Sequence, residues 1–186
     1  MTSQPPAPTE LRTSRLLLRQ PRLEDVDAYL AIESDPEYAF YGSSQSVDRE
    51  SMERVLARII AAPWDQHPEF AVVLEDQVVG RVALTVDRAN ATASLGYGIL
   101  RSCWGRGIAT EAARAVLDYS FEALGLAKVG ARVDPRNVAS VRVLEKLGMQ
   151  REGVLRSQLL RQGERVDRAY YGILREEWKA GRPVPR

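Results

Sequence analysis

Two glycines alternate with other residues where a long alanine-rich segment begins, in the stretch Trp104-Gly105-Arg106-Gly107-Ile108. The N-terminus of an α-helix carries unpaired N–H groups and a partial positive charge, so it binds anions where side chains do not crowd the approach. Gly105 and Gly107 remove that crowding, and Arg106 adds a positive charge. The amides from Gly105 to Thr110 are therefore suited to hold a diphosphate. The same glycines are equally consistent with a tight turn before a helix.

Two further segments carry residue types that fit more than one role. Asn137 stands directly before the apolar helical spacing that ends at Leu147, and asparagine is among the best helix N-caps. On residue type alone, capping is its only role. The stretch from Leu95 to Ile99, LGYGI, has glycines that suit a β-bulge. The same stretch is equally consistent with a regular, glycine-rich central strand.

Several classes of chemistry are excluded by what the chain lacks. Cys103 is the only cysteine and His67 the only histidine, so no cysteine-based zinc site or intramolecular disulfide can form, and a histidine-dependent triad would rest on one loop-like position. We therefore expect no metal. The net charge is +1, without a concentrated basic run, which argues against nucleic acid as a ligand. The N-terminus lacks the features of a signal peptide, and no apolar run has membrane-spanning length. We expect a cytoplasmic protein without membrane contact.

Strand and helix periodicities alternate along the chain. Residues Leu23–Ser34, Val47–Ala62, Ala109–Phe121 and Ala139–Leu147 show helical spacing of apolar side chains. The predicted strands are Leu11–Gln20, Phe70–Leu74, Val78–Val86, Ala93–Leu100, Lys128–Val133, Met149–Leu160 and Val166–Leu174, the last two joined by a hairpin.

This order predicts an α/β (α+β) fold with a mixed central sheet of about seven strands flanked by helices. The three strands between Phe70 and Leu100 form an antiparallel meander, and the long helix before Lys128 makes a crossover that renders part of the sheet parallel. We expect a flexible tail over residues 1–10, a single domain over 11–180 and a C-terminal tail over 181–186.

The stretch from Arg101 to Arg156, RSCWGRGIATEAARAVLDYSFEALGLAKVGARVDPRNVASVRVLEKLGMQREGVLR, resembles the acetyl-CoA-binding core of the GNAT (GCN5-related N-acetyltransferase) superfamily. The opening TSRLLLRQPRLEDVDAYLAI and the closing DRAYYGILREEW resemble its RimJ/RimL branch. The broader family motif has Gln or Arg, two residues, Gly, one residue, and Gly or Ala. Gly107 and Ala109 match it, whereas Trp104 stands at the first position, as in the RimJ/RimL branch.

The resemblance implies a GNAT fold in which a bulge splays two strands apart, so that acetyl-CoA lies between them as cosubstrate. The amides of the glycine loop would then hold the pyrophosphate. A backbone N–H of Ile99 or Tyr97 would stabilise the oxyanion, and Ser140 would supply the proton of the leaving thiolate, directly or through water. The implied cofactor contacts are Ile99, Trp104, Gly105, Arg106, Gly107, Ile108, Ala109, Thr110, Asn137 and Ser140.

This chain departs from the family pattern at the position of the general base. Many relatives carry a glutamate just before the Gly-Tyr of the strand, whereas this chain has Ser94, which cannot take that role. An α-amino group has a pKa of about 7.7–8.0, against about 10.4 for a lysine side chain, so an N-terminal amine needs little help from a base. We therefore expect α-amines to be favoured. Glu152, Asp134 and Asp167 are conceivable bases that also fit surface or turn positions.

The acceptor pocket is expected among the segments least constrained by the cofactor. Tyr41 and Trp64 are candidates to line it, and Arg161 and Arg165 to attract an acidic peptide. We expect the chain to transfer the acetyl group to a protein N-terminal α-amine of the ribosomal-protein type. A small amine such as an antibiotic, polyamine or amino acid, and a non-catalytic acyl-CoA-sensing module, are the alternatives. A homodimer through the terminal strands is possible.

Overall fold

The computed structural model describes residues 8–41, 48–161 and 163–181. The helices in these ranges are α1 (Val26–Glu33), α2 (Pro36–Tyr41), α3 (Arg49–Ala61), α4 (Ile108–Glu122), α5 (Val138–Lys146) and α6 (Arg175–Ala180). The strands are β1 (Leu11–Arg12), β2 (Leu17–Arg19), β3 (Glu69–Leu74), β4 (Gln77–Asp87), β5 (Thr92–Ile99), β6 (Lys128–Val133), β7 (Gln150–Arg161) and β8 (Glu164–Leu174).

All the strands join one sheet, in the order β1-β2-β3-β4-β5-β6-β8-β7. Every neighbouring pair is antiparallel except β5 and β6, which are parallel and connected through α4. The predicted meander is confirmed as β3, β4 and β5, and the crossover is confirmed as the connection through α4. The mixed α/β sheet is therefore as predicted.

The sheet has eight strands where about seven were predicted, because the stretch expected as a single first strand folds back on itself. Leu11 pairs with Leu18 in an antiparallel hairpin. Thr13 holds the reversal, since its N–H donates to the carbonyl of Leu16 at 3.0 Å and its Oγ1 accepts the N–H of Leu16 at 2.9 Å. A side-chain oxygen that satisfies a backbone N–H in this way favours a turn over an extended strand.

Two short helices were not predicted. The six-residue helices α2 and α6 complete fewer than two turns, too few for a helical period to stand out from the sequence. Asp35 begins α2, because its Oδ1 accepts the N–H groups of Glu37 and Tyr38, both at 3.0 Å. The stretch Phe40-Tyr41-Gly42-Ser43-Ser44, which the sequence also suggests for access of the acceptor, continues past Tyr41 into residues 42–47, which lie outside the described residues.

Helices cover both faces of the sheet. The main core packs α4 and α5 against the face that carries Ala93, Leu95 and Ile99 of β5. On the opposite face, α1 and α3 enclose a smaller cluster around Tyr29 and Leu56. Because side chains alternate along a strand, Gly96 and Gly98 belong to this second face. Among the described residues, no helix is both long enough and apolar enough to cross a membrane.

Candidate active site

The two central strands of the sheet separate at one end. Parallel pairing of β5 with β6 begins at Thr92 and Lys128 and ends at Leu95 and Ala131. Beyond this point β5 continues to Ile99 along β4, and β6 continues to Val133 along β8. The strands therefore diverge into a groove, as the predicted splayed pair requires.

The predicted bulge is absent, and the glycines of β5 serve another purpose. Pairing of β5 with β4 runs without a register shift from Thr92 to Ile99. A Cβ on Gly98 would lie 2.7 Å from Tyr38 Cε2 and 3.0 Å from Ile32 Cγ2, whereas a Cβ on Gly96 would have no neighbour within 4 Å. Gly98 thus permits α1 and α2 to pack closely against β5. Beside Gly96 the surface of β5 is left uncovered.

Backbone donors of β5 point into the groove. The N–H of Leu100 donates to Val79 of β4 at 2.8 Å, so Leu100 and its alternate residues Gly98 and Gly96 bond to β4. The alternation directs the N–H groups of Tyr97 and Ile99 to the other side, where β6 has moved away. These are the two donors that the sequence singled out for the oxyanion.

The glycine loop has the conformation of an anion cradle. Gly105 and Gly107 have φ angles of 72° and 77°, in the left-handed region that side chains avoid. Gly107 is the N-cap of α4, whose first hydrogen bond runs from the N–H of Glu111 to the carbonyl of Gly107 at 3.0 Å. Within the described residues, no amide from Gly105 to Thr110 donates to a protein acceptor. These donors fit the phosphates of coenzyme A.

The N-terminal hairpin braces this loop, a role that the sequence did not reveal. Thr13 Oγ1 donates to Glu111 Oε1 at 2.6 Å, and Arg15 Nε donates to Glu111 Oε2 at 2.8 Å. Arg15 also donates to the carbonyl of Arg106 at 3.2 Å. Burial acts to raise the pKa of Glu111, but the hydrogen bonds from Thr13 and Arg15 outweigh it and hold the pKa below its usual value. Glu111 therefore stays ionised and fixed at the helix start.

Trp104 joins the loop to the end of β5. Its Nε1 donates to the carbonyl of Ile99 at 2.7 Å, and the guanidinium of Arg101 lies 4.7 Å from the ring centroid. Arg101 in turn pairs with Asp35, the cap of α2, at 2.6 Å. The indole thus fixes the glycine loop relative to the groove and to α2.

The other wall of the groove is the start of α5. Asn137 Oδ1 accepts the N–H of Ser140 at 3.0 Å, which confirms the predicted N-cap. The Tyr97 hydroxyl crosses the groove and donates to the carbonyl of Ser140 at 3.2 Å. Burial raises the pKa of Tyr97 to about 12, and only a hydrogen bond with the side chain of Ser140, separate from the bond to its carbonyl, acts in the opposite direction. Tyr97 is therefore a neutral hydrogen-bond donor throughout the physiological pH range.

Tyr97→Phe is expected to alter the pH dependence of stability. The phenol titrates near pH 10 when unfolded and near pH 12 when folded, so its stabilisation is complete below pH 10 and is lost as pH rises toward 12. The difference in unfolding free energy between wild type and variant should therefore shrink across this window. Urea unfolding at pH 8, 10 and 11 measures it, with Tyr170→Phe as control. A constant difference would contradict the buried, neutral phenol.

The groove opens into a cavity of about 580 Å³. Tyr41 lies on its wall, and so do nearly all the predicted cofactor contacts; the exposed side chain of Arg106 does not. Trp64, predicted for the acceptor pocket, belongs instead to the core. It is 6% exposed, its indole N–H donates to the Tyr119 hydroxyl at 2.9 Å, and its ring packs on Phe70. That prediction was wrong, because a buried partner for the indole N–H fixes the side chain away from the cavity.

The carboxylates considered as bases all have partners. Asp134 lines the cavity with 2% of its side chain exposed, and it pairs with Arg136 at 2.8 Å and Arg161 at 3.1 Å. The hydrogen bond from Arg136 lowers the pKa of Asp134 against the opposing effect of burial. Glu152 pairs with Lys128, and Asp167 accepts the N–H of Ser157. Arg161, expected to attract a peptide, is itself buried against Asp134 and the carbonyl of Tyr41, so that expectation was wrong.

A buried ion cluster borders the cavity on the second face of the sheet. Arg81 of β4 donates to both oxygens of Glu69 at 2.9 and 3.1 Å and to Glu33 of α1 at 2.9 Å. Burial acts to lower the pKa of Arg81, but the carboxylates outweigh it and raise the pKa above its ordinary value. Sequence reasoning missed this cluster, because its members come from three separate elements and no local spacing relates them.

Comparison with known proteins agrees with this geometry. The family model "Acetyltransferase (GNAT) domain" matches residues 15–150. "Uncharacterized N-acetyltransferase p20" of Bacillus licheniformis is 32% identical over 173 residues, which cover 90% of this chain and 97% of that protein.

Two solved structures share the fold over most of both chains. An acetyltransferase (GNAT family) from Bacillus anthracis superposes with a TM-score of 0.83 at 29% identity, covering 90% of this chain and 99% of that one. Mycobacterium smegmatis RimJ in complex with CoA-disulfide superposes with a TM-score of 0.81 at 25% identity, covering 93% and 89%. By the family model and the relatives that match it, the chain belongs to the GNAT acetyltransferase family and is an acetyl-CoA-dependent acetyltransferase.

Proposed function

We propose that the acceptor is a protein N-terminal α-amine and that the chain belongs to the RimJ/RimL-like branch. The likeness to Mycobacterium smegmatis RimJ supports the branch. The observation that carries the acceptor class is the pairing of the carboxylates at the cavity. Asp134 is held by two arginines, and Glu37 pairs with Arg101. An acceptor that is already partly neutral near pH 7 suits a cavity whose described carboxylates are all engaged in ion pairs.

In the proposed reaction, the amine nitrogen attacks the thioester carbonyl carbon in the groove. The N–H groups of Tyr97 and Ile99 stabilise the negative charge on the carbonyl oxygen. The carbon–sulfur bond then breaks, and the Ser140 hydroxyl, directly or through water, supplies a proton to the thiolate. The amine gives up its own proton to water, and water returns a proton to Ser140, so that the hydroxyl is restored. Products are the N-acetylated acceptor and free coenzyme A.

The remaining predicted contacts are assigned to cosubstrate binding. The amides of the glycine loop hold the pyrophosphate, with Arg106 adding charge from outside the cavity. Trp104 positions the loop, and Asn137 with Ser140 forms the opposite wall. Tyr41 is assigned to the acceptor side, because it lines the cavity and its hydroxyl donates to the carbonyl of Arg136 at 3.4 Å.

Release of free coenzyme A thiol tests the acceptor class. Purified protein and acetyl-CoA are incubated with ribosomal-protein N-terminal peptides, N-blocked lysine peptides, polyamines, amino acids and aminoglycosides at pH 7. We expect N-terminal peptides to react at least about 10-fold faster than lysine peptides, because far more of the α-amine is neutral at this pH. Equal rates on the two peptide classes would contradict the role of the missing base. Turnover of small amines alone would replace the protein acceptor by a small one.

A further inference from the structure

Two arginines on the second face of the sheet line the cavity from β6 and β8. In β6, Ala131 and Val133 are buried in the main core, so Arg132 between them points to the opposite face. In β8, Ala169 is buried in that core, so Arg168 points the same way as Arg132. Both arginines line the cavity. Arg132 pairs with Tyr170, which makes Arg168 its diagonal neighbour, roughly 7–8 Å away by sheet geometry.

Neither guanidinium has a partner in the described part of the chain. Arg132 and Arg168 make no ion pair or hydrogen bond there, and Arg168 Nε is fully buried without an acceptor. Burial and the charges of Arg132 and Arg161 lower the pKa of Arg168. A buried donor without an acceptor is unusual in a folded protein, and it requires a specific reason.

The carboxylate of Asp134, on the same wall of the cavity, is already paired with other arginines. Asp134 continues the same strand face, but it is engaged by Arg136 and by the buried Arg161. One carboxylate thus stands among four guanidinium groups, and the wall keeps an excess of positive charge. The cradle for phosphates lies on the other side of the groove, at the start of α4, so this charge is not needed for the cosubstrate's pyrophosphate.

We propose that Arg132 and Arg168 form a subsite for a carboxylate of the acceptor, which therefore carries an acidic group a short distance from the reacting amine. This inference rests on the proposed function: in a protein N-terminus, the carboxylate belongs to an acidic side chain in the first few residues. Planar guanidinium groups bind carboxylates through paired hydrogen bonds. Polyamines, which are cationic throughout, are excluded from such a site by like-charge repulsion.

The test compares two N-terminal peptides that differ only by aspartate or asparagine in the second position. For wild type we expect kcat/KM to be at least 10-fold higher with the aspartate peptide. Arg168→Met and Arg132→Met should each reduce this ratio at least 3-fold, with the KM for acetyl-CoA unchanged. Arg58→Met, at an exposed position of helix α3 that does not line the cavity, removes the same charge and is the control that should keep the ratio.

Stability separates recognition from folding in this test. Because Arg168 has no partner among the described residues, its replacement by methionine should leave the melting temperature unchanged or raise it. A lowered ratio in a stable variant supports the subsite. A wild-type ratio near 1, a ratio unchanged in both arginine variants, or a loss confined to the KM for acetyl-CoA would overturn it.

A parallel comparison keeps the subsite separate from the proposed protein acceptor. Free amino acids and their carboxamides offer the same pair, carboxylate and neutral amide, on a small amine. If only these react, the protein acceptor is wrong, yet the same 3-fold loss in Arg168→Met still supports the subsite. If no amine reacts, calorimetric binding of the aspartate and asparagine peptides to the coenzyme A complex decides: equal affinities overturn the subsite.

Discussion

Gly107→Glu is expected to abolish useful acetyl-CoA binding, with Kd raised at least about 100-fold, equivalent to about 2.7 kcal/mol. The substitution has two consequences at one position. Gly107 has φ 77°, a conformation that side chains rarely adopt, and its amide belongs to the unpaired donors at the start of α4. A carboxylate there competes with phosphate for the same N–H groups and repels it. Isothermal titration with acetyl-CoA measures the loss.

Gly163→Glu is the matched control for this variant. Gly163 also has a positive φ, 85°, and a Cβ there would meet no atom within 4 Å, but it lies in the β7–β8 turn away from the groove. Both variants thus carry the same strain and charge change, and only the first should lose affinity. Wild-type affinity in a folded Gly107→Glu protein would remove the phosphate-loop assignment. The thermal transition of each variant shows whether it is folded.

Arg81→Met is expected to lower the free energy of unfolding by about 3–5 kcal/mol, because it leaves two buried carboxylates without their cation. The side chains of Glu69 and Glu33 are only 9% and 12% exposed. Urea unfolding at pH 7 measures the change. Adding Glu69→Gln and Glu33→Gln to the variant should recover most of it, since neutral amides do not need the guanidinium.

An exposed ion pair provides the comparison for Arg81. Arg54 pairs with Glu50 one turn away on α3, with side chains 64% and 80% exposed. Arg54→Met should change stability by less than about 1 kcal/mol, as solvent screens such pairs. A similar cost for both variants, or no recovery in the triple variant, would show that the ion cluster is not what stabilises this region.

Local patterns predicted the elements that local interactions dominate. The strand Lys128–Val133 was found with its bounds, and Asn137 was identified as a cap, because both depend on a few adjacent residues. The first predicted strand failed where the Thr13 side chain turns the chain back. Helix α2 was not predicted, because its start depends on the single side chain of Asp35 and the helix is too short to show a helical period.

In the candidate site, too, the features formed within one segment were predictable, and those formed between distant segments were not. Gly105 and Gly107 were recognisable, since the anion cradle is a property of one loop and the helix that follows it. The hydrogen bond between Thr13 and Glu111 joins residues 98 positions apart, and no local sequence pattern predicts it. Trp64 shows the opposite error, because an aromatic residue in a polar loop offers no sign of whether it turns inward. Its partner Tyr119 is 55 positions away.

Four residue pairs between β5 and β6 form the whole strand ladder, a seam that joins a five-stranded and a three-stranded half of the described sheet. A molecule that fills the open end of this seam touches both halves and replaces part of the missing ladder. By mass action, ligand at 100 times its Kd adds about 2.7 kcal/mol to the unfolding free energy of the protein that binds it. With acetyl-CoA bound at this seam, as proposed above, we expect the free energy of unfolding of the domain to rise with the acetyl-CoA concentration.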